Sequence, residues 1–119
     1  MKLLIAVKSK MLTDLLVSSL PMYDVYTCNT GPDALAMLQM HHFDALLLEL
    51  TLPGIDGLSV LQKTGAPPRH ILALTNIVNQ AVLQAAAAAG VQDLLLLPCS
   101  TRHILAHLHS LLQKAPSTK

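Results

Sequence analysis

Glu49 is the only glutamate in this chain, and it follows the apolar run Leu46-Leu47-Leu48 directly. A short, continuous apolar run predicts a strand that is buried on both faces, so Glu49 is expected at the end of such a strand. A carboxylate in that place could pair with a cation or, with further oxygen ligands, help to bind a metal ion. Its chemistry therefore depends on the residues that end the neighbouring strands.

His103 and His107, in the last predicted helix, are the second candidate for a functional site, because their spacing could suit metal binding. A separation of four places two imidazoles on one helix face, as in zinc sites. The chain has no HExxH motif and no acidic residue beside these histidines in sequence, so we interpret them as an exposed polar face. Neither GxGxxG nor a P-loop occurs, which leaves dinucleotide and ATP binding without support. No zinc or other metal site is predicted.

The elements that must position these residues alternate along the chain. Apolar runs predict five strands, at residues 2–7, 23–28, 44–50, 71–74 and 94–97. Helical spacing and capping residues predict five helices, which begin near Ser9, Thr30, Gly57, Ile77 and Ser100. In the first helix, the predicted inner face is Met11, Leu12, Leu15, Leu16 and Leu20. This order predicts right-handed βαβ units and one parallel sheet that is covered by helices on both faces.

Ligands of open parallel sheets bind beyond the carboxyl ends of the strands. The residues that end the predicted strands are Val7 and Lys8, Glu49, Thr75 and Asn76, and Leu97. We predict that they form one site.

Composition limits the classes of function that remain. A chain of 119 residues is long enough for one domain, which we assign to residues 1–114, with 115–119 as a tail or the start of a linker. Charged residues make up 13% of the chain, against about 25% in typical domains. Either a partner covers part of the surface, or the surface is polar and uncharged.

The net charge of +1 without a basic stripe argues against nucleic-acid binding by this segment. We expect no leader, no membrane span and, with two distant cysteines, a reduced cytoplasmic protein.

The chain resembles the receiver domains of two-component response regulators. The resemblance covers nearly all of it and rests on several segments together: Lys2 to Ala6, Asp44 to Gly57 with Leu52-Pro53-Gly54-Ile55-Asp56-Gly57, Leu74-Thr75, Ala88-Ala89-Gly90-Val91 and Leu97-Pro98. It implies a flavodoxin-like (βα)5 three-layer sandwich, with five parallel strands in the order 2-1-3-4-5. It also implies a cis peptide bond between Leu97 and Pro98.

The same resemblance implies that the phosphotransfer site is degenerate. The family's acidic pair falls on Val7 and Lys8, its phosphoacceptor aspartate on Glu49 and its lysine on Leu97, while the hydroxyl is kept as Thr75. We therefore expect no Mg²⁺ site, no cofactor, no enzymatic activity and no standard aspartyl phosphorylation. Two uses of Glu49 remain open besides a solvated strand end: an ion pair with Lys8, or a lasting imitation of phosphoaspartate.

A degenerate receiver would act through protein partners. The resemblance places its interaction surface on the fourth helix, fifth strand and fifth helix, and the candidate residues there are Ala85, Ala88, Leu94, His103 and His107. The partner would be a second copy or another protein. If the parent chain is longer, we expect it to contain a DNA-binding output domain. The alternatives are a free-standing signalling adaptor and a flavodoxin-like domain with a small-molecule or enzymatic site over Glu49.

Overall fold

A computed structural model describes residues 1–113 of the chain. Its five strands are β1 (Lys2–Ala6), β2 (Asp24–Cys28), β3 (Ala45–Glu49), β4 (His70–Thr75) and β5 (Asp93–Leu96). Its five helices are α1 (Lys10–Ser18), α2 (Gly31–Met40), α3 (Gly57–Thr64), α4 (Gln80–Ala88) and α5 (Thr101–Gln113). Strand and helix alternate throughout, as predicted, and the predicted tail at 115–119 lies outside the described residues.

The strands form one parallel sheet in the order β2-β1-β3-β4-β5, so the predicted flavodoxin-like fold is confirmed. In the register, Ala6 pairs with Leu48, and Glu49 pairs with Leu74. The carboxyl ends of β1, β3 and β4 therefore meet at the middle of one sheet edge, where a ligand site is expected.

Two apolar layers hold this sheet, one on each face. Alternate residues of the strands point to opposite faces, so Leu46 and Leu48 join the layer under α2 and α3, whereas Leu47 joins the layer under α1 and α5. Residues 3 to 7 and 45 to 48 are all fully buried. This explains why their sequence is continuously apolar rather than alternating.

Capping side chains fix where several helices begin. The predicted caps Ser9, Thr30 and Ser100 each accept a backbone hydrogen bond from the third residue after them. The predicted start of the fourth helix at Ile77 is wrong, because the Asn79 side chain accepts from the Val82 N–H at 2.9 Å and α4 begins at Gln80. Ile77 therefore lies in an exposed loop before the helix.

The predicted inner face of α1 is wrong in two of its five members. Leu16 and Leu20 are buried, but Met11 and Leu15 are 75% and 50% exposed. Positions 11 and 15 form a stripe about 100° around the helix from positions 12, 16 and 20, and only the second stripe meets the sheet and α5. Apolar periodicity alone did not distinguish the two stripes.

Within residues 1–113, no helix has the length and apolar character that crossing a membrane requires.

Candidate functional site at the carboxyl ends of the central strands

Glu49 ends β3 in the middle of the sheet, and its side chain is almost completely enclosed. The residue is 6% exposed. Its Oε1 accepts a hydrogen bond from the backbone N–H of Lys8 at 2.9 Å, and its Oε2 accepts one from the Thr51 hydroxyl at 3.3 Å. Both carboxylate oxygens are thus satisfied by the chain itself, and the bond to Lys8 ties the end of β3 to the loop after β1.

The predicted ion pair between the Lys8 ammonium and Glu49 is wrong. Among the described residues, no Lys or Arg side chain lies within 4.0 Å of a carboxylate, and the one such contact of a basic side chain is that of His107 with Asp93. Lys8 reaches Glu49 through its backbone, and its side chain is exposed. At the surface the Lys8 ammonium remains hydrated. Burying it beside Glu49 would require free energy to desolvate both charges.

Two residues of the predicted site, Val7 and Leu97, have apolar side chains. They flank the site, and their side chains supply no ligand. Val7 is fully buried among the residues of the α1 and α5 layer, and Leu97 is half-buried against the same layer. The Val7 carbonyl accepts from the Asn29 side chain at 2.8 Å. The Leu97–Pro98 peptide bond is cis, which confirms the prediction for this bond.

Thr75 keeps its hydroxyl at the end of β4, but the hydroxyl is engaged within its own loop. Its Oγ1 donates to the carbonyl of Ile77 and accepts from the N–H of Ile77, both at 3.2 Å. The residue is buried, and the neighbouring Asn76 is exposed. Thr75 therefore stabilises the loop between β4 and α4, and Asn76 is in contact with solvent.

The loop that follows Glu49 is held by close backbone contacts. Gly31 donates from its N–H to the Pro53 carbonyl at 2.9 Å, and Gly57 donates to the Leu50 carbonyl at 2.9 Å. A Cβ at Gly31 would lie 1.8 Å from the carbonyl oxygen of Ile55. Only glycine permits this approach, so the loop 50–57 is pinned between α2 and the site.

In residues 1–113, no three His, Cys, Asp or Glu side chains stand close enough together to hold a metal ion. Two cavities formed by described residues lie away from Glu49. One of about 450 Å³ lies at the opposite, amino end of the sheet beside Asp44, Arg69 and His70, and another of about 450 Å³ lies beside Asn29 and Thr30.

The predicted interaction surface at the β5 edge contains features that the sequence reading missed. Ala85 and Leu94 are half-buried and Ala88 is exposed, so the alanine stretch does reach the surface. The largest exposed apolar side chains near it are Leu83 at 43% and Leu96 at 54%. Alternation of β5 could have indicated Leu96, because Leu95 faces the core.

The interpretation of His103 and His107 as an exposed polar face did not foresee a contact that His107 makes across the fold. His103 is exposed, but His107 Nδ1 lies 2.7 Å from Asp93 Oδ2, across from α5 to the start of β5. The two rings lie with centroids 4.6 Å apart. The acidic partner that was absent in sequence is supplied by the fold.

The two cysteines differ sharply in environment. Cys28, at the end of β2, is 7% exposed, and burial together with the nearby charge of Asp33 raises the pKa of its thiol to about 12. Cys99 is half-buried in the loop before α5, and its burial also raises its thiol pKa. Among residues 1–113, neither cysteine belongs to a group of three or more side chains that could hold a metal ion.

Known proteins resemble the chain both in sequence and in fold. The chain is 34% identical over 97 residues to the cyclic di-GMP phosphodiesterase response regulator RpfG of Xanthomonas campestris pv. campestris, covering 78% of this chain and 26% of that protein. It is 34% identical over 96 residues to the response regulator MprA of Mycobacterium leprae, covering 77% of this chain and 41% of that protein. The chain thus spans less than half the length of either relative.

A solved structure with the same architecture is a CheY-like response regulator receiver domain protein from Methanospirillum hungatei. It superposes with a TM-score of 0.82 at 20% identity, over 92% of this chain and 90% of that one. At this identity the likeness concerns the fold alone.

The family profile described as "Response regulator receiver domain" matches residues 7–109, which span every element from the end of β1 into α5. With the strand order and the curated relatives, this places the chain in the response regulator receiver domain family of two-component signalling.

Proposed function

We propose that this chain is an atypical receiver, which signals by binding to proteins and does not accept a phosphoryl group by the family's usual aspartyl route. The observation that supports this most directly is the state of Glu49. Its two oxygens accept from the Lys8 N–H and the Thr51 hydroxyl, and the side chain is 6% exposed. Each oxygen thus has one acceptor position filled by the chain itself, and the enclosure of the side chain limits the approach of a phosphoryl donor or a hydrated metal ion.

The surrounding residues support the same proposal chemically. Mg²⁺ requires several oxygen ligands in octahedral geometry, and Val7 has none to offer while the Lys8 side chain is cationic. Leu97 cannot stabilise the charge that develops on a phosphoryl group in transfer. The extra methylene of Glu49 relative to aspartate shifts its oxygens, and misplacement by about 1 Å costs on the order of a hundredfold in rate. In this proposal the domain uses no Mg²⁺ and no cofactor, and it is not an enzyme.

Signalling then depends on surfaces that do not need phosphate. One group of exposed apolar side chains belongs to β5, α4 and the loop before α4, where Leu96, Leu83 and Ile77 are each at least 43% exposed. Apolar surface of this kind marks an interaction site when it is contiguous. We propose a protein partner or a second copy on the face formed by α4, β5 and α5, with Ala85, Ala88, Leu94, His103 and His107 as its nearby members.

The relatives support an attached output domain. The chain spans 26% of RpfG and 41% of MprA, so response regulators similar to it contain much more than a receiver. We propose a DNA-binding output domain in a longer parent chain. A parent gene that ends with this segment would favour a free-standing adaptor instead.

The test is phosphorylation in solution. The chain is incubated with acetyl phosphate and Mg²⁺, and separately with beryllofluoride and Mg²⁺, and is examined by intact mass and by amide NMR spectra. We expect no added phosphoryl group and no shifts around residue 49. The matched variant Lys8→Asp/Glu49→Asp/Leu97→Lys restores three family residues and is expected to regain Mg²⁺-dependent shifts.

Addition of one phosphoryl group to the natural chain, lost again in Glu49→Gln, would overturn the proposal. This outcome does not depend on the folding of the triple variant, because it is read from the natural chain and a single, isosteric change. Copurification of a flavin or nucleotide would instead favour a small-molecule site.

A further inference from the structure

A second cluster of polar side chains lies away from Glu49, where α5 packs against β5. It consists of His103, His107 and Asp93. His107 Nδ1 lies 2.7 Å from Asp93 Oδ2, and the His103 and His107 rings have centroids 4.6 Å apart at an interplanar angle of 58°. His103 is exposed, and the His107 side chain is 36% exposed, so solvent and small ions reach both rings.

The spacing of the two rings fits coordination of one metal ion. A metal bound to an imidazole nitrogen at about 2.0–2.1 Å stands about 3.2 Å from the ring centroid. Two imidazoles on one ion therefore have centroids about 4.5 Å apart at a right angle and about 5.2 Å apart at a tetrahedral angle. The observed 4.6 Å is close to the right-angle value, and right angles between ligands occur in the tetragonal geometry of Cu²⁺ and Ni²⁺.

Asp93 adds the feature that usually accompanies a metal-binding histidine. Such a histidine generally donates its second ring N–H to a carboxylate or carbonyl, which fixes the tautomer and the ring orientation. Here the Asp93 carboxylate accepts from His107 Nδ1 and leaves His107 Nε2 as the available nitrogen. Asp93 also provides a negative charge close to the site of a cation.

We propose that His103 and His107 form a two-imidazole site for a divalent transition-metal ion, Cu²⁺ or Ni²⁺, with Asp93 positioning His107. Water completes the coordination. Asp93 orients His107 and is not itself a ligand. In the part of the chain that the structure describes, no three His, Cys, Asp or Glu side chains converge on one metal position, which agrees with a site of only two protein ligands. The site is independent of the function proposed for Glu49.

The experiment is titration of the untagged chain with CuCl₂ and NiCl₂, followed by calorimetry and, for Cu²⁺, by electron paramagnetic resonance. We expect one ion per chain, with hyperfine structure from two nitrogens and tighter binding of Cu²⁺ than of Ni²⁺. Either His103→Ala or His107→Ala should abolish the two-nitrogen signal. Asp93→Asn should weaken binding by about tenfold to a hundredfold while the two-nitrogen signal remains at saturation.

His42→Ala is the matched control, because His42 is an exposed histidine on another surface and should leave binding unchanged. The proposal is wrong if the double variant His103→Ala/His107→Ala binds either ion as tightly as the natural chain, or if His42→Ala weakens binding equally. Thermal unfolding without metal distinguishes an effect of Asp93 on the metal site from an effect on stability alone. We expect Asp93→Asn to unfold near the temperature of the natural chain. We expect Asp93→Glu to bind the metal ion more tightly than Asp93→Asn.

Discussion

Glu49 and Asp93 are both carboxylates at an end of a strand, but they differ in burial and in the side chain that each one meets. Glu49 is 6% exposed, and its partners are a backbone N–H and a neighbouring hydroxyl. The Asp93 side chain is 38% exposed; its Oδ1 accepts from the backbone N–H of Leu94, and its Oδ2 meets the ring of His107 on α5. One carboxylate is a fixed part of the interior, and the other stands at a surface where a second molecule or an ion can compete for it.

Position in the sheet explains the difference. β3 lies between β1 and β4, so backbone groups of neighbouring strands and loops surround the end of β3. β5 pairs only with β4 and leaves its other edge open. The comparison shows that the carboxylate at the middle of the sheet joins two loops of the chain, whereas the carboxylate on β5 is partly open to solvent.

The largest expected effect belongs to the loop that encloses Glu49. Gly31→Ala places a Cβ 1.8 Å from the Ile55 carbonyl oxygen, which no side-chain rotation relieves. We expect the free energy of unfolding to fall by more than about 4 kcal/mol, as measured by urea denaturation. Gly65→Ala is the control, since nothing lies within 4 Å of its Cβ and only its positive φ of 75° is unfavourable, at about 1–2 kcal/mol. Equal losses in the two variants would contradict a tightly packed loop.

A smaller effect distinguishes the backbone of Lys8 from its side chain. Glu49→Ala leaves the Lys8 N–H and the Thr51 hydroxyl without their acceptor, so we expect a loss of about 1–3 kcal/mol in the free energy of unfolding. Lys8→Ala keeps the N–H and should change stability by less than about 0.5 kcal/mol. A loss from Lys8→Ala as large as that from Glu49→Ala would restore the ion pair that the structure contradicts.

The two cysteines provide the smallest and most local comparison, since Cys28 lies near the Glu49 region and Cys99 near the β5 edge. The folded pKa of Cys28 is raised from 9.0 to about 12, so above pH 9 the unfolded chain loses its thiol proton while the folded chain keeps it. Stability from this group is therefore complete below pH 9 and is lost as the pH rises toward about 12.

Alkylation of the native protein by iodoacetamide measures this contrast at mildly alkaline pH. We expect modification of Cys99 first, with Cys28 modified only after unfolding, because the thiolate is the reactive form. Cys28→Ala should also show a shallower fall in stability above pH 9 than the natural chain. Modification of both thiols at the same rate would mean that the end of β2 opens as readily as the β5 edge.

Much of the fold could be predicted because the strands are continuous apolar runs and several helix starts have strong caps. Ser9, Thr30 and Ser100 act as predicted, since capping is a contact between residues three apart. The error at α4 had a readable signal, because Asn79 is a good capping residue and Ile77 and Val78 are β-branched. The exposure of Met11 and Leu15 had no such signal, since both stripes of α1 are apolar in sequence.

The sequence by itself determined the parallel sheet, the place of Glu49 at the end of a buried strand and the identities of Val7, Lys8 and Leu97 at neighbouring strand ends. These follow from local periodicity and from residue identity, which no packing can alter. Only the tertiary structure decided that Glu49 accepts from the Lys8 backbone and that Asp93 meets His107. Both contacts join residues distant in sequence, 41 and 14 positions apart. Which group becomes the partner of each carboxylate depends on which one can approach at a low cost in desolvation. That cost is fixed only when the strands and helices pack together.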